Sequence, residues 1–381
     1  MKEYKYWSDK LLSQELTEFT TNPEAMLWLK IHSIAKSDVM KGFLTFKANF
    51  INSKNIVLTS KKVEDKAVEI YNQIDDASIG DWSKALDEYF RKENEKQYKL
   101  LDVKTLESDL CCIQHFKWGG DQNNSLDKYF VSHYVKSIRS YQEIDEKLNN
   151  EALSVVRNYV LSSWYNHWSS IVIEHIFKQH TKVLPTVGQV KSIDFIIQGI
   201  PFDLKVTYLP NSAWYQKEVK SYLDGKGLDK TEIACLKRFA KKAKIKYNTK
   251  LAVNEQHFQI RKLLETNAPE LFKEALKELD KIRTARINYA KENATLLAKL
   301  LYENQGSTRF GAENRIYLIL IDKDDMDNSW EMKRDFPRLK SAINSYLDSF
   351  DINNLNQMKL DFEYSGKQYT THADIIFVIK E

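Results

Sequence analysis

Three residues that could do chemistry together stand around one short turn: Asp194, Asp203 and Lys205. Residues 192–208 read Ser-Ile-Asp-Phe-Ile-Ile-Gln-Gly-Ile-Pro-Phe-Asp-Leu-Lys-Val-Thr-Tyr. Two β-branched and aromatic runs flank Gln198-Gly199, the pattern of a hairpin with a tight turn. A symmetric hairpin closed there sets Ile197 against Ile200 and, counting outward, Asp194 against Asp203. Alternation then places Lys205 on the face of Asp203, with Phe202, Leu204 and Val206 on the other. Opposed residues hold their Cβ atoms about 5 Å apart, and two carboxylates at that distance repel by about 3 kcal/mol at an effective dielectric of about 20. Lys205 offsets part of this, and a divalent cation would offset more. Oxygen-only ligation suits Mg²⁺ before Zn²⁺, with Mn²⁺ as a substitute. Such an ion beside a lysine can polarise a phosphodiester and activate a water. The plainer alternative is a cross-strand charge network on an exposed sheet face.

The elements that must position these groups are legible on either side. Residues 151–180 form a long helix with apolar residues nearly all round, among them Val156, Val160, Trp164, Trp168, Ile171 and Phe177, so it is expected to be largely buried. Glu174 shares its inward stripe, where a carboxylate needs a partner. That partner is either a salt bridge or helix-end position, or Glu174 is a third acid reaching the hairpin. After the hairpin the chain turns helical over about 212–305, then runs strand (315–321), helix (330–347) and two strands (358–364 and 373–379). This order gives an α/β protein with a mixed sheet flanked by helices. Residues 1–150 are mostly helical and polar, anchored by Trp7, Trp28, Trp82 and Trp118, with Asn22-Pro23-Glu24 as a helix start. Phe43, Phe46, Phe50 and Val57 allow a short strand pair within Gly42–Leu58, Gly119-Gly120 marks a loop, and 145–150 marks a boundary. The expected units are therefore 1–150 and 151–381, the second carrying the helical insertion.

These residues resemble the PD-(D/E)xK nuclease superfamily, which includes the type II restriction endonucleases. The resemblance implies an acid-bearing helix, then a hairpin with an Asp on its first strand and (D/E)-x-K on its second, on a mixed αβββαβ core. The matching positions are Glu174, Asp194 and Asp203-Leu204-Lys205, with Ile193 where the name-giving proline would stand. It implies that Asp194 and Asp203 ligate Mg²⁺, that Lys205 positions or activates the water, and that Glu174 supports a second metal or the water network. The implied function is a Mg²⁺-dependent endonuclease acting on double-stranded DNA, of restriction or phage-defence type. The site chemistry leaves open an RNA-directed nuclease, and the scaffold leaves open a non-catalytic nucleic-acid-binding or sensor protein. The resemblance covers 151–210 and, by strand order, 315–381. Other acid-x-Lys triplets occur, but most lie in charged helical sequence; Asp102-Val103-Lys104 is the one rival on a plausible strand, and no upstream acid pairs with it.

Composition bounds the rest. The 381 residues carry 43% hydrophobic and 29% charged residues, with no apolar run long enough for a membrane span and no signal-peptide pattern at the N-terminus. Cys111, Cys112 and Cys235 make no disulfide framework and fit a cytoplasmic location. Burial explains Cys111-Cys112 with His115 better than zinc does. His167, His175 and His180 read as structural. Asp322–Asp327 reads as a loop capping the following helix rather than a calcium loop. Net charge is +4, yet residues 217–250 hold eleven Lys/Arg against four Asp/Glu, a surplus of seven. Within that block Lys237, Arg238, Lys241, Lys242 and Lys244 cluster on an expected helix, with Lys237, Lys241 and Lys244 on one side. They are either a phosphate-contacting surface or a solvated helix face. DNA is the expected partner, RNA the alternative and a homodimer an open option, with no membrane partner.

Overall fold

A computed structural model describes residues 1–114, 126–187, 193–251, 253–306 and 310–381. The Gly119-Gly120 loop, Trp118 and His115 lie outside the described residues. Among the described residues six strands form one mixed sheet: β1 (Val183–Pro185), β2 (Phe195–Ile197), β3 (Ile200–Tyr208), β4 (Arg315–Asp322), β5 (Lys359–Tyr364) and β6 (Lys367–Lys380). Their spatial order is β1-β2-β3-β4-β6-β5. β1, β2 and β3 are antiparallel neighbours, β3–β4 and β4–β6 run parallel, and β5–β6 is an antiparallel hairpin. The β2–β3 turn is closed by Gln198 (φ 47°) and Gly199 (φ 91°), the paired positive φ of a turn whose twist matches a hairpin.

Alternation along the parallel strands divides the apolar residues between two faces. On one face Ile316, Leu318 and Leu320 of β4 and Ile376 and Val378 of β6 pack against the core helix (Leu153–Lys178) and the helix Phe336–Ser349. On the other, Tyr317, Ile319, Ile321 and Ile375 meet the helices Ala213–Gly225, Pro269–Glu292 and Ala294–Glu303. The middle of the insertion adds a satellite core around Leu236, Phe239, Ile260 and Leu279. Helices from residues 4–100 gather Trp7, Trp28, Trp82 and Phe90 into a core that also takes in Leu184 and Ile196 from β1 and β2. Asp203 and Lys205 share the face of Tyr317, where β3 lies between these N-terminal helices and the insertion.

The described fold is thus mixed α/β, with helices flanking a six-stranded sheet. The core helix spans Leu153–Lys178, close to its expected range, but it is not buried all round. Val160 is exposed, and Val156, Trp164, Trp168 and Ile171 are half-buried. The buried apolar residues gather towards its C-terminal end at Val172, Ile173, Ile176 and Phe177, where it meets the sheet. Among the described residues five helices fill 213–303. Three further sequence expectations are corrected. Gly42–Leu58 holds no strand pair: Ser37–Phe46 and Ala48–Ser53 are helices, and the spacing of Phe43, Phe46 and Phe50 by three and four is a helical stripe. Asp102 is the N-cap of the helix Val103–Leu110, its carboxylate accepting from Thr105 N–H (3.4 Å), so its triplet begins a helix rather than lying on a strand. Cys111 and Cys112 are exposed rather than buried, lying in the turn that follows the helix end at Leu110, while Cys235 is buried. The expected cap holds: Asp325 accepts from Asp327 N–H (3.2 Å) at the start of the 3-10 helix Met326–Arg334. Among the described residues no helix is long and apolar enough to cross a membrane.

Candidate active site

The ladder between β2 and β3 runs Ile197↔Ile200, Ile196↔Pro201 and Phe195↔Phe202, the register expected from the turn. It ends one residue short of the acids. Asp194 N–H still donates to the Phe202 carbonyl (2.9 Å), but the chain bends there, and the Asp194 Oδ2 accepts from Leu204 N–H (2.7 Å). A side chain thus takes the ladder position that a β2 carbonyl would fill. This corrects the simple cross-strand picture: the Asp194 carboxylate lies in the seam where β2 and β3 part, rather than standing on one sheet face opposite Asp203. Thr186, just past β1, fixes the bend by donating to the Asp194 carbonyl (2.7 Å).

Asp203 is buried, at 4% exposure. Lys205 Nζ lies 2.8 Å from its Oδ1 and 2.7 Å from its Oδ2, and the Lys205 side chain is 44% exposed. Arg315, the register partner of Asp203 on β4, brings its Nε to 3.3 Å from Oδ2. The Asp203 N–H donates to the Asn314 carbonyl (2.9 Å). Two cations would ordinarily draw a carboxyl down. Burial outweighs them, and with Asp194 and Glu313 close by, Asp203 is pushed up to about 6. Asp194 is also raised, by burial and then by the charge of Glu174, against the Leu204 N–H and the charges of Lys205 and Lys178. The charge of Glu174 therefore reaches the seam from the core helix. Glu174 also pairs with Lys178 one turn on, which is the salt bridge of the plainer sequence reading, while its charge acts on Asp194.

Polar groups not read from sequence hold Asp203 from behind. Arg315 is bound by Glu313 (2.8 Å) and Gln305 (2.9 Å), and its guanidinium lies 4.7 Å from the Tyr302 ring centroid. Asn314 donates to Thr20 in the N-terminal helices (2.9 Å) and to the Pro201 carbonyl (3.1 Å), and accepts from His372 N–H (3.1 Å). The sequence signal was a polar triplet, Glu313-Asn314-Arg315, running into the first position of the most apolar strand.

Among the described residues no group of three His, Cys, Asp or Glu side chains is gathered closely enough to hold a metal ion. The donor set is a pair of carboxylates, Asp194 and Asp203, with Glu174 tied to Lys178. A hard ion that keeps several waters needs only one or two carboxylates, so this oxygen set fits Mg²⁺ and not Zn²⁺. The other histidines are elsewhere: His175 is buried and stacked on Tyr98, ring centroids 3.9 Å apart, and His180 pairs with Asp348 (3.0 Å).

The basic cluster is only partly as expected. Lys237, Arg238, Lys241 and Lys242 lie on the helix Glu232–Lys242, but Lys244 lies beyond its end with φ 55°, so it does not continue the stripe. Arg238 is held by Asp229 (2.7 and 3.0 Å) and Lys242 by Glu274 (2.8 Å). Among the described residues Lys237, Lys241 and Lys244 make no ion pair, and Lys241 and Lys244 are exposed. Comparisons with protein-family models, with curated proteins and with solved structures find no match to this chain.

Proposed function

We propose that the chain is a Mg²⁺-dependent nuclease that hydrolyses phosphodiester bonds, with double-stranded DNA as substrate, in the manner of the restriction-type or phage-defence enzymes it resembles. The observation that carries this reading is the meeting of Asp194, Asp203 and Lys205 where β2 and β3 part. Support comes also from element order: an acid-bearing helix, three antiparallel strands, helices, then a strand parallel to the third, which is the order the resemblance implies. Asp194 and Asp203 would hold the ion, which when bound supplies Lewis-acid polarisation of the phosphate and an acidified water. Lys205, which can swing between Asp203 and solvent, places a positive charge where the attacked phosphate gains negative charge. Arg315 fixes the orientation of Asp203 without reaching substrate. The N-terminal helices and the helical insertion flank the site and are proposed to grip the nucleic acid, with Lys237, Lys241 and Lys244 as phosphate contacts.

The direct test incubates the purified chain with plasmid DNA and with single-stranded RNA, in Mg²⁺ or in EDTA. Mg²⁺-dependent nicking or linearisation of the plasmid is the expected result. Cleavage of RNA alone would move the proposal to an RNA-directed enzyme, and binding without cleavage of either would replace it with a non-catalytic binding protein.

A further inference from the structure

Two adjoining cavities open at the carboxyl ends of β3 and β4, whereas Asp203 lies at the amino end of the β3–β4 ladder. Crevices outside the carboxyl ends of parallel strands are where α/β sheets bind ligands, because strand-to-helix loops diverge there. The larger cavity, about 630 Å³, has aromatic walls that include Tyr208, Trp214 and Trp330. The smaller, about 270 Å³, reaches Arg283, Arg286 and the N-terminus of the helix Glu232–Lys242. Leu209, Asn211, Met326 and Asp327 line both, so the two share a wall.

Each cavity has a buried polar atom without a partner. Arg286 is 5% exposed, its Nη2 donates to the Pro210 carbonyl (3.2 Å) and to Asn211 Oδ1 (3.4 Å), and its Nε donates to nothing. No carboxylate among the described residues lies within ion-pair distance of it, and burial lowers its pKa. Of the three acids lining the smaller cavity, Glu232 accepts from Arg283 at 2.7 and 3.1 Å and Asp325 caps the turn after β4, which leaves Asp327. The Tyr208 hydroxyl is buried and unpartnered as well. A buried guanidinium lacking an anion is costly to leave so, and an oxyanion is the group that satisfies it. Aromatic walls next to it suit a flat heterocycle. Asp327, facing both cavities, is an acceptor for sugar hydroxyls or an exocyclic amine.

We propose that the two cavities form one site for a nucleoside phosphate, its phosphate against Arg286 and its heterocycle against Tyr208 and Trp214. The proposal is independent of the nuclease reading, since binding is measured in EDTA and needs no cleavage. The test titrates the full chain by calorimetry with the four ribonucleoside 5′-monophosphates, with adenosine and with inorganic phosphate. The expected result is saturable binding of at least one monophosphate, about tenfold or more tighter than either fragment. Arg286→Met should reduce that affinity to the level of the nucleoside, and Tyr208→Phe should weaken it severalfold. Should Arg286→Met fold poorly, Trp214→Ala, at a half-exposed position, serves in its place and must also weaken binding. A 5′-phosphorylated tetranucleotide in parallel distinguishes a free nucleotide, which it would not match, from a strand end, which it would. No saturable binding of any monophosphate, or affinity unchanged in both Arg286→Met and Trp214→Ala, overturns the proposal.

Discussion

Without metal, the charge on Asp203 costs the fold stability, and Asp203→Asn measures how much. Asp203 sits 4% exposed with its carboxyl pushed up to about 6 from 3.8, so its charged form is disfavoured despite Lys205 and Arg315. Two pKa units correspond to about 3 kcal/mol at most, and relaxation around the site reduces this to about 1–3 kcal/mol. Asn keeps the shape and an acceptor for Lys205 or Arg315 while removing the charge. At an unfolding entropy of about 2.1 cal/mol/K per residue, a chain of 381 residues gains about 1–4 °C in Tm from that change. The pH dependence identifies the cause. An acid whose folded pKa is raised binds more protons folded than unfolded, so the wild type gains stability from this group as pH falls from above about 6 towards 4. Asp203→Asn cannot, so its advantage should be full near pH 7.5 and should vanish by about pH 4. Calorimetry of both proteins in EDTA across that range is the assay. A loss of stability in Asp203→Asn at pH 7.5, or a difference independent of pH, would refute the reasoning and make Asp203 a structural anchor for its two cations.

Asp194 is raised for the same reason, so Asp194→Asn should melt no lower than wild type in EDTA and gain less Tm from added Mg²⁺ or Mn²⁺; a clear apo loss would make it a structural partner. His175 is pushed down to about 4, chiefly by burial, so the fold loses stability as pH falls from about 6.5 towards 4; His175→Phe should flatten that slope in urea titrations. Arg283→Met, which takes the closest cation from Glu232 and leaves it His257 at 3.6 Å, should cost up to about 3–5 kcal/mol by chemical denaturation. Changing Lys237, Lys241 and Lys244 together to Gln should weaken binding to unrelated duplexes alike and flatten the slope of log K against log salt by up to about 3, at about 0.9 per phosphate. An unchanged slope would remove that surface from the account.

What the sequence disclosed was what depends on neighbours in the chain. The hairpin register follows from Gln198-Gly199 and the runs beside it, and the core helix follows from its own apolar pattern. Asp194 was expected on the first strand, directly opposite Asp203; it instead precedes β2, and its seam position needed the ladder to break, which no alternation rule registers. Glu174 was ambiguous because a helix stripe fixes direction and not the neighbour met. Arg315 was missed for a different reason: it meets Asp203 through a parallel pairing across the whole insertion, and contacts of that range leave no local periodicity. Phe43, Phe46 and Phe50 were read in the wrong period because three apolar residues over eight positions satisfy a loose alternation as well as a helical face. Lys244 was placed on a helix that ends two residues earlier, where Ala243 turns the chain.

The central claim is that phosphodiester hydrolysis runs through the β2–β3 seam. Its most direct test is the single-turnover cleavage rate of plasmid DNA in Mg²⁺ for wild type, Asp203→Ala, Lys205→Ala and, as a helical acid-x-Lys control, Glu218→Ala, each checked for a native circular dichroism spectrum. The two seam variants should lose about 10³-fold or more, and Glu218→Ala should stay within about twofold of wild type. Cleavage by folded Asp203→Ala at a rate close to wild type would contradict that claim.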